Sequence, residues 1–340
     1  MDPDFSSRTW PAEWLPHAAT WLSWPHNPET WPGRFERVPS AFAQFVRAVA
    51  EVEPVRLLAA DEVARHAEQT LGRLPNIEII PIATNDCWVR DYGPTFVFEG
   101  PERRLKGIDW QYNAWGGKYP PWDLDAAAAP QICRHAQAAV SSSRLTVEGG
   151  ALETDGDGTL LTTPECLLTD SRNPGWSQEQ VESELRRQLG VHEIVWLRGG
   201  GLSGDDTDGH IDQLARFVDR QHLVVAVGDP ADRENHAGLE RNFAQLRLWG
   251  MRRPKPVTVH RLPLPRPRRI GGQRVPESYC NFIFCGPRVL VPTFAQPDRD
   301  AQALAIFRDL LPGREVLGID ASTLAWGLGA FHCASQQQPA

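Results

Sequence analysis

The chain has 340 residues, 41% hydrophobic and 23% charged, the balance of a folded globular protein with enough apolar material for a sizeable core. Its net charge of −8 argues against non-specific nucleic-acid binding and suits a cationic small-molecule partner. No apolar run approaches the ~20 residues that cross a bilayer, and Met1-Asp-Pro-Asp-Phe-Ser-Ser-Arg8 lacks the basic-then-apolar layout of a secretory signal.

In chain order, Thr20-Trp-Leu-Ser-Trp24 reads as a strand and Ala41 to Val49 as an amphipathic helix. Asp91 then opens an apolar strand that turns at Glu99-Gly-Pro. Glu148-Gly-Gly opens a second, turning through Asp155-Gly-Asp-Gly158 to Thr159-Leu-Leu-Thr. Ser177-Gln-Glu-Gln180 is a capping box, and Gly190 ends the helix it starts. A third hairpin runs from Asp212 through Asp219-Arg-Gln to Leu223-Val-Val-Ala-Val, followed by a helix over Leu239 to Trp249. A fourth runs from Asn281 through Cys285-Gly-Pro to Val289-Leu-Val-Pro, followed by a helix over Asp298 to Leu311. Leu324 to Phe331, apolar and glycine-rich, leads to Cys333 and reads as a buried strand or turn.

Asp91, Glu148, Asp212, Asn281 and Cys333 stand 57, 64, 69 and 52 residues apart, a loose repeat in which a polar residue starts each hairpin. No composition break marks a linker. The reading is one α/β domain, 1–340, of hairpin-plus-helix units around an axis. The strand at Thr20 would close the ring against the one near Cys333 and leave no open sheet edge there. Arg261 to Arg269, basic and interrupted by prolines, reads as an exposed, solvated loop. Of the thirteen tryptophans, most read as packing and some as pocket walls. Six irregularly spaced cysteines do not form a disulfide framework, and a reducing cytoplasm is expected.

Cys333 is a candidate nucleophile if a base and acidic groups reach it. If the chain is extended there, side chains alternate, so His210 and Asp212 share a face while His332 and Cys333 point apart. His210 is therefore the better base. Cys87, on one face with Asp91 by the same rule, is a rival thiol. Arg90 and Asp91 could instead form an internal ion pair. Asp206, Asp208, Asp212 and His210 raise a metal alternative. Its Ca²⁺-loop register fails, because Phe217 falls where a bidentate Glu is needed. Gly199-Gly-Gly201 lacks the Lys-Ser/Thr of a phosphate loop. Carboxylates with a thiol and an imidazole fit a planar cation such as a guanidinium.

The chain resembles the agmatine deiminases, in the family of bacterial-type peptidyl-arginine deiminases and the wider group of guanidino-modifying enzymes. The resemblance rests on Pro11–Pro25, Asn85–Pro94, Asn113–Tyr119, Glu148-Gly-Gly150, Gly204–Asp212, Glu277–Phe282 and His332-Cys333, in family order over nearly the whole chain. It implies a five-fold pseudo-symmetric α/β propeller of ββαβ-type units around a central site. It implies hydrolysis of agmatine to N-carbamoylputrescine and ammonia, within putrescine and polyamine biosynthesis. By resemblance, Cys333 is the nucleophile, His210 the general acid/base, and Glu148 a carboxylate that binds substrate and manages protons. Asp91 and Asp212 hold the guanidinium. No metal or organic cofactor is implied, no nucleic acid or membrane partner, and a homodimer is suggested. The family's glycine-rich run before His-Cys is altered here: Leu328 replaces a glycine and Ala330 an asparagine. The alternatives are deimination of free or peptidyl arginine, and a ring that binds ligand without turnover.

Overall fold

The computed structural model describes residues 8–340; the reading of the opening segment as no secretory signal falls mostly outside them. The fold repeats one arrangement five times. An antiparallel strand pair is followed by a helix, and a third strand joins the pair in parallel. In the first, Thr95–Glu99 pairs with Arg104–Gln111, and Ala139–Thr146 follows the helix Ala128–His135. In the second, Glu153–Thr154 and Thr159–Thr162 pair, and Glu193–Trp196 is added after the helix Gln178–Leu189. The third pairs Ala215–Phe217 with His222–Val227 and adds Thr258–Pro263 after His236–Arg252. The fourth pairs Ile283–Cys285 with Arg288–Thr293 and adds Glu315–Asp320 after Pro297–Leu310.

The fifth unit is assembled from both ends of the chain. Ser335–Pro339 pairs antiparallel with His17–Ser23, and Val55–Leu58 then Ile77–Ile80 extend that sheet in parallel. The expected pairing of the Thr20 strand with the segment after Cys333 is thus present. Local signals explain the elements. The Ser177–Gln180 box is formed in both directions, and Gly190 takes the left-handed conformation at the helix end, with φ of 71°. Trp21, Trp24 and Trp31 are fully buried in the larger of two apolar clusters, so most tryptophans pack as expected. All six cysteines are free and buried. No helix among the described residues is long and apolar enough to cross a membrane.

Two expectations are corrected. The repeat residues do not start strands; four sit in a tight turn just before one, and Glu148 immediately precedes such a turn. Asp91 lies in the helical turn Val89–Tyr92, and Glu148 precedes the turn Gly149–Ala151. Asp212 lies in Ile211–Gln213, Asn281 in Tyr279–Asn281, and Cys333 in the turn before Ser335. The basic loop is also not simply solvated. Arg269–Ile270 and Gln273–Arg274 form a small hairpin that borders the main cavity.

A buried arginine ties the units together. Arg216, fully buried, donates to Glu153 at 2.8 Å and Glu13 at 2.6 Å. It also donates to the carbonyls of Cys280 and Phe282 at 3.3 and 2.9 Å. Its partners come from the N-terminal segment and from the second and fourth units. Arg216→Met keeps most of the bulk but takes from buried Glu153 its guanidinium partner and from buried Glu13 its shortest one, leaving Glu13 with His332 and Arg90. It is expected to cost about 3–5 kcal/mol in equilibrium urea unfolding, the scale of a broken buried pair.

Candidate active site

The turns preceding the strands converge at one end of an open cavity of about 1380 Å³. Asp91 and Cys333 reach its surface; Glu148, His210 and Asp212 lie fully buried behind them. Gly150 shows how tightly they meet. A Cβ there would lie 2.6 Å from His210 Nδ1, 2.8 Å from Asp91 Oδ1 and 3.1 Å from Asp212 Oδ2. With Glu148 3.7 Å from His210 and Cys333 Sγ 3.5 Å from Asp212, the structure brings together all five residues singled out from the sequence.

Each carboxylate is held by a different donor. Asp91 accepts from Trp115 Nε1 and the Gly150 amide, both at 2.9 Å. Glu148 accepts from Arg172 Nε at 2.8 and 2.9 Å. Asp212 Oδ2 contacts His332 Nδ1 at 2.7 Å, and His332 Nε2 contacts Glu13 at 3.0 Å. His210 lies between Asp91 and Glu148, each at 3.7 Å, which is ion-pair rather than hydrogen-bond distance. Both His210 nitrogens and Asp212 Oδ1 have no hydrogen-bond partner among the described residues. Buried polar atoms without partners are uncommon, and these three belong to two residues that meet at Gly150.

The electrostatics follow. Burial lowers the His210 pKa, but Asp91 and Glu148 outweigh it and bring it up to about 9. Burial raises Asp91, with Asp212 and Glu148 adding repulsion and His210 opposing it, to about 6. Burial also opposes ionisation of Asp212 and Glu148, yet both lie below the usual range. His332 holds Asp212 down, and His210 with Arg172 holds Glu148 down. Burial, then Asp212 and Asp91, push the Cys333 thiol well above its ordinary value.

The strand-alternation argument for these residues is overturned. His210 and Asp212 meet across a 3₁₀ turn, and His332 and Cys333 do not diverge. His332 Nδ1 and Cys333 Sγ both reach Asp212 Oδ2, at 2.7 and 3.5 Å. Cys87 is fully buried in the core, and burial with Asp86 pushes its thiol up. Arg90 does not pair with Asp91; it bonds Gln337 and the His332 carbonyl and lies 3.8 Å from Glu13. The metal alternative disperses. Asp206 accepts from Tyr119 at 2.5 Å, and Asp208 from Arg172 and Lys118 at 2.7 Å. Asp212 turns to His332.

The sequence placed Asn281 in the repeat but gave no chemical role to it, nor to Trp115, Glu13 or Arg172. The first three lie in segments that carried the resemblance. Arg172 lies in a turn-rich stretch with no motif to mark it. Leu328 has φ of 71° and lines the cavity, where a glycine would sit without strain. Ala330 is buried and does not line it.

The chain's mixed α/β sheets match the fold of dimethylarginine dimethylaminohydrolase, with a TM-score of 0.53 at 14% identity over 95% of this chain and all of the other. The chain belongs to the Porphyromonas-type peptidyl-arginine deiminase family, which matches residues 9–339. It is 36% identical to the agmatine deiminase of Stutzerimonas stutzeri strain A1501 over 353 residues, covering 97% of this chain and 95% of that one. Its structure matches the agmatine deiminase of C. jejuni with substrate bound at a TM-score of 0.89 and 28% identity, over 97% and 96% of the two chains.

Gly150→Ala tests the convergence. The new methyl must displace His210 or Asp91 by a few tenths of an ångström or more. Turnover of guanidino substrate is expected to fall by about 10²-fold or more, the scale of a misplaced catalytic group, while circular dichroism stays native.

Proposed function

We propose that this protein hydrolyses agmatine to N-carbamoylputrescine and ammonia through a covalent amidino-cysteine. The observation that carries the reading is the convergence of an imidazole and two carboxylates at Gly150, with Cys333 Sγ 3.5 Å from Asp212 and Glu148 3.7 Å from His210. Among them, Asp212 Oδ1 and both His210 nitrogens lack partners among the described residues. A guanidinium presents planar N–H donors that suit Asp91 and Asp212. Its positive charge also offsets the two carboxylates that hold the Cys333 thiol up, so binding and thiol ionisation favour each other.

The steps follow. With the guanidinium bound, the Cys333 thiol gives up its proton to solvent, and the thiolate attacks the guanidinium carbon. His210, charged at neutral pH given its raised pKa, gives a proton to the departing nitrogen, and the C–N bond breaks to release ammonia. Water then adds to the amidino-thioether and loses a proton to His210. The C–S bond breaks and the thiol returns. Glu148, fixed by Arg172, holds His210 and binds substrate. We infer that the five repeated units ring this site, as a five-fold propeller in a single domain, 1–340.

Agmatine is favoured over arginine by the charges along the cavity. Lys118 pairs with Asp208, Arg269 with Glu234, and Arg274 with Asp232. These cations already have carboxylate partners, so an α-carboxylate would face Asp86, Asp125, Asp205 and Asp206 on the same walls.

Ammonia release from agmatine, arginine and an arginyl peptide tests the substrate. The kcat/KM for agmatine is expected to exceed that for arginine by at least about 10²-fold. Comparable values would overturn the substrate assignment, and no release from any would favour a binding protein. An acid-quenched turnover reaction should show an amidino mass increment on Cys333. Cys333→Ser should be folded and inactive; full activity in it would overturn the nucleophile.

A further inference from the structure

We propose that Asn281 is a further catalytic residue: its side-chain amide donates a hydrogen bond to the Cys333 sulfur and stabilises the thiolate. The proposal rests on the reading that Cys333 is the nucleophile. Asn281 holds the fourth position of the repeat whose other members are Asp91, Glu148, Asp212 and Cys333, and it is buried.

The orientation of its amide is settled by the backbone. Asn281 Oδ1 faces two N–H donors, the amides of His332 at 3.0 Å and Cys333 at 3.3 Å. An amide nitrogen there would meet donor against donor, so the oxygen belongs on that side. Nδ2 therefore points at Cys333 Sγ, 3.1 Å away. Apart from the Ala330 backbone, which also favours the thiolate, the surroundings oppose it. Asp212 Oδ2 is 3.5 Å from the sulfur, Asp91 adds a second negative charge, and the site is buried. Gln213 Nε2, at 4.0 Å, is the next side-chain donor and is distant. In the ligand-free thiol, the S–H points to Asp212 while the sulfur lone pair accepts from Asn281. Once the proton leaves, the Asn281 bond becomes charge-assisted and strengthens, whereas the Asp212 contact becomes repulsive.

The two ends of Asn281 thus do different work. Oδ1 positions the His332–Cys333 backbone; Nδ2 acts on the nucleophile. Asn281→Asp separates them, because it keeps an oxygen for the two amides and replaces the donor by a carboxylate oxygen. The experiment is the pH dependence of iodoacetamide alkylation of the ligand-free protein, with Cys333 followed by peptide mass and the five other cysteines as internal controls. Asn281→Asp is expected to slow Cys333 alkylation at pH 8 at least about tenfold and to move its profile up by about one pH unit or more, since one unit is tenfold in thiolate. An unchanged profile overturns the proposal. If the Asp variant does not fold, Asn281→Ala decides by the same profile, with a shift in the same direction expected and an unchanged profile again decisive against it. Alkylation needs no substrate, so the two readings fail separately. A wild type that releases no ammonia while Asn281→Asp slows alkylation defeats the deiminase and leaves the donor assignment standing.

Discussion

Asp91, Glu148 and Asp212 are carboxylates held out of water, and the last two lie close enough to raise the proton affinity of Asp91. Burying one such charge costs several kcal/mol, and burying three together adds mutual repulsion. The surrounding residues offset that cost with a separate device for each: an indole and a backbone amide on Asp91, a guanidinium on Glu148, an imidazole on Asp212. His210, between two of them, is held towards its charged form by the same field. The thiol is held towards its neutral form by that field too. A cation entering the site relieves both the repulsion and the suppression of the thiolate, which is why this arrangement selects positive charge.

The fold meets this constraint by bringing one polar side chain from each unit. A tight turn before the first strand of every unit lets that side chain project away from the sheet. The supporting groups come from elsewhere. Glu13, in the N-terminal segment, ties His332 and Arg216, so a residue more than three hundred positions from Cys333 helps orient its neighbour. The sheet that joins both chain ends places Glu13 and His332 in contact. Stability and chemistry thus share one buried charge network.

The cavity beyond the site adds a second layer of selection. Its acidic walls attract a cation, and the bordering cations are each neutralised locally. Leu328, in a left-handed conformation on the cavity wall beside Gly329 and Cys333, gives this chain a bulkier apolar surface than a glycine would.

By itself, the sequence determined the local elements and the order of the repeat. The capping box at Ser177, the stop at Gly190, the apolar spacing of three helices and the Gly-, Pro- and Asp-bearing turns are short-range patterns, and they hold in the structure. It also marked Asp91, Glu148, His210, Asp212 and Cys333 as chemically apt. The alternation rule failed because these residues lie in turns, where side chains follow a helical rather than a two-residue period. Only the tertiary structure decided that Arg172 fixes Glu148, that Trp115 fixes Asp91 and that Asn281 faces the sulfur. Those contacts join residues from 24 to 52 positions apart, and no local periodicity encodes which side chain will meet which across a fold. The shifted proton affinities belong to the same category, because they arise from burial and from charges that only folding brings together.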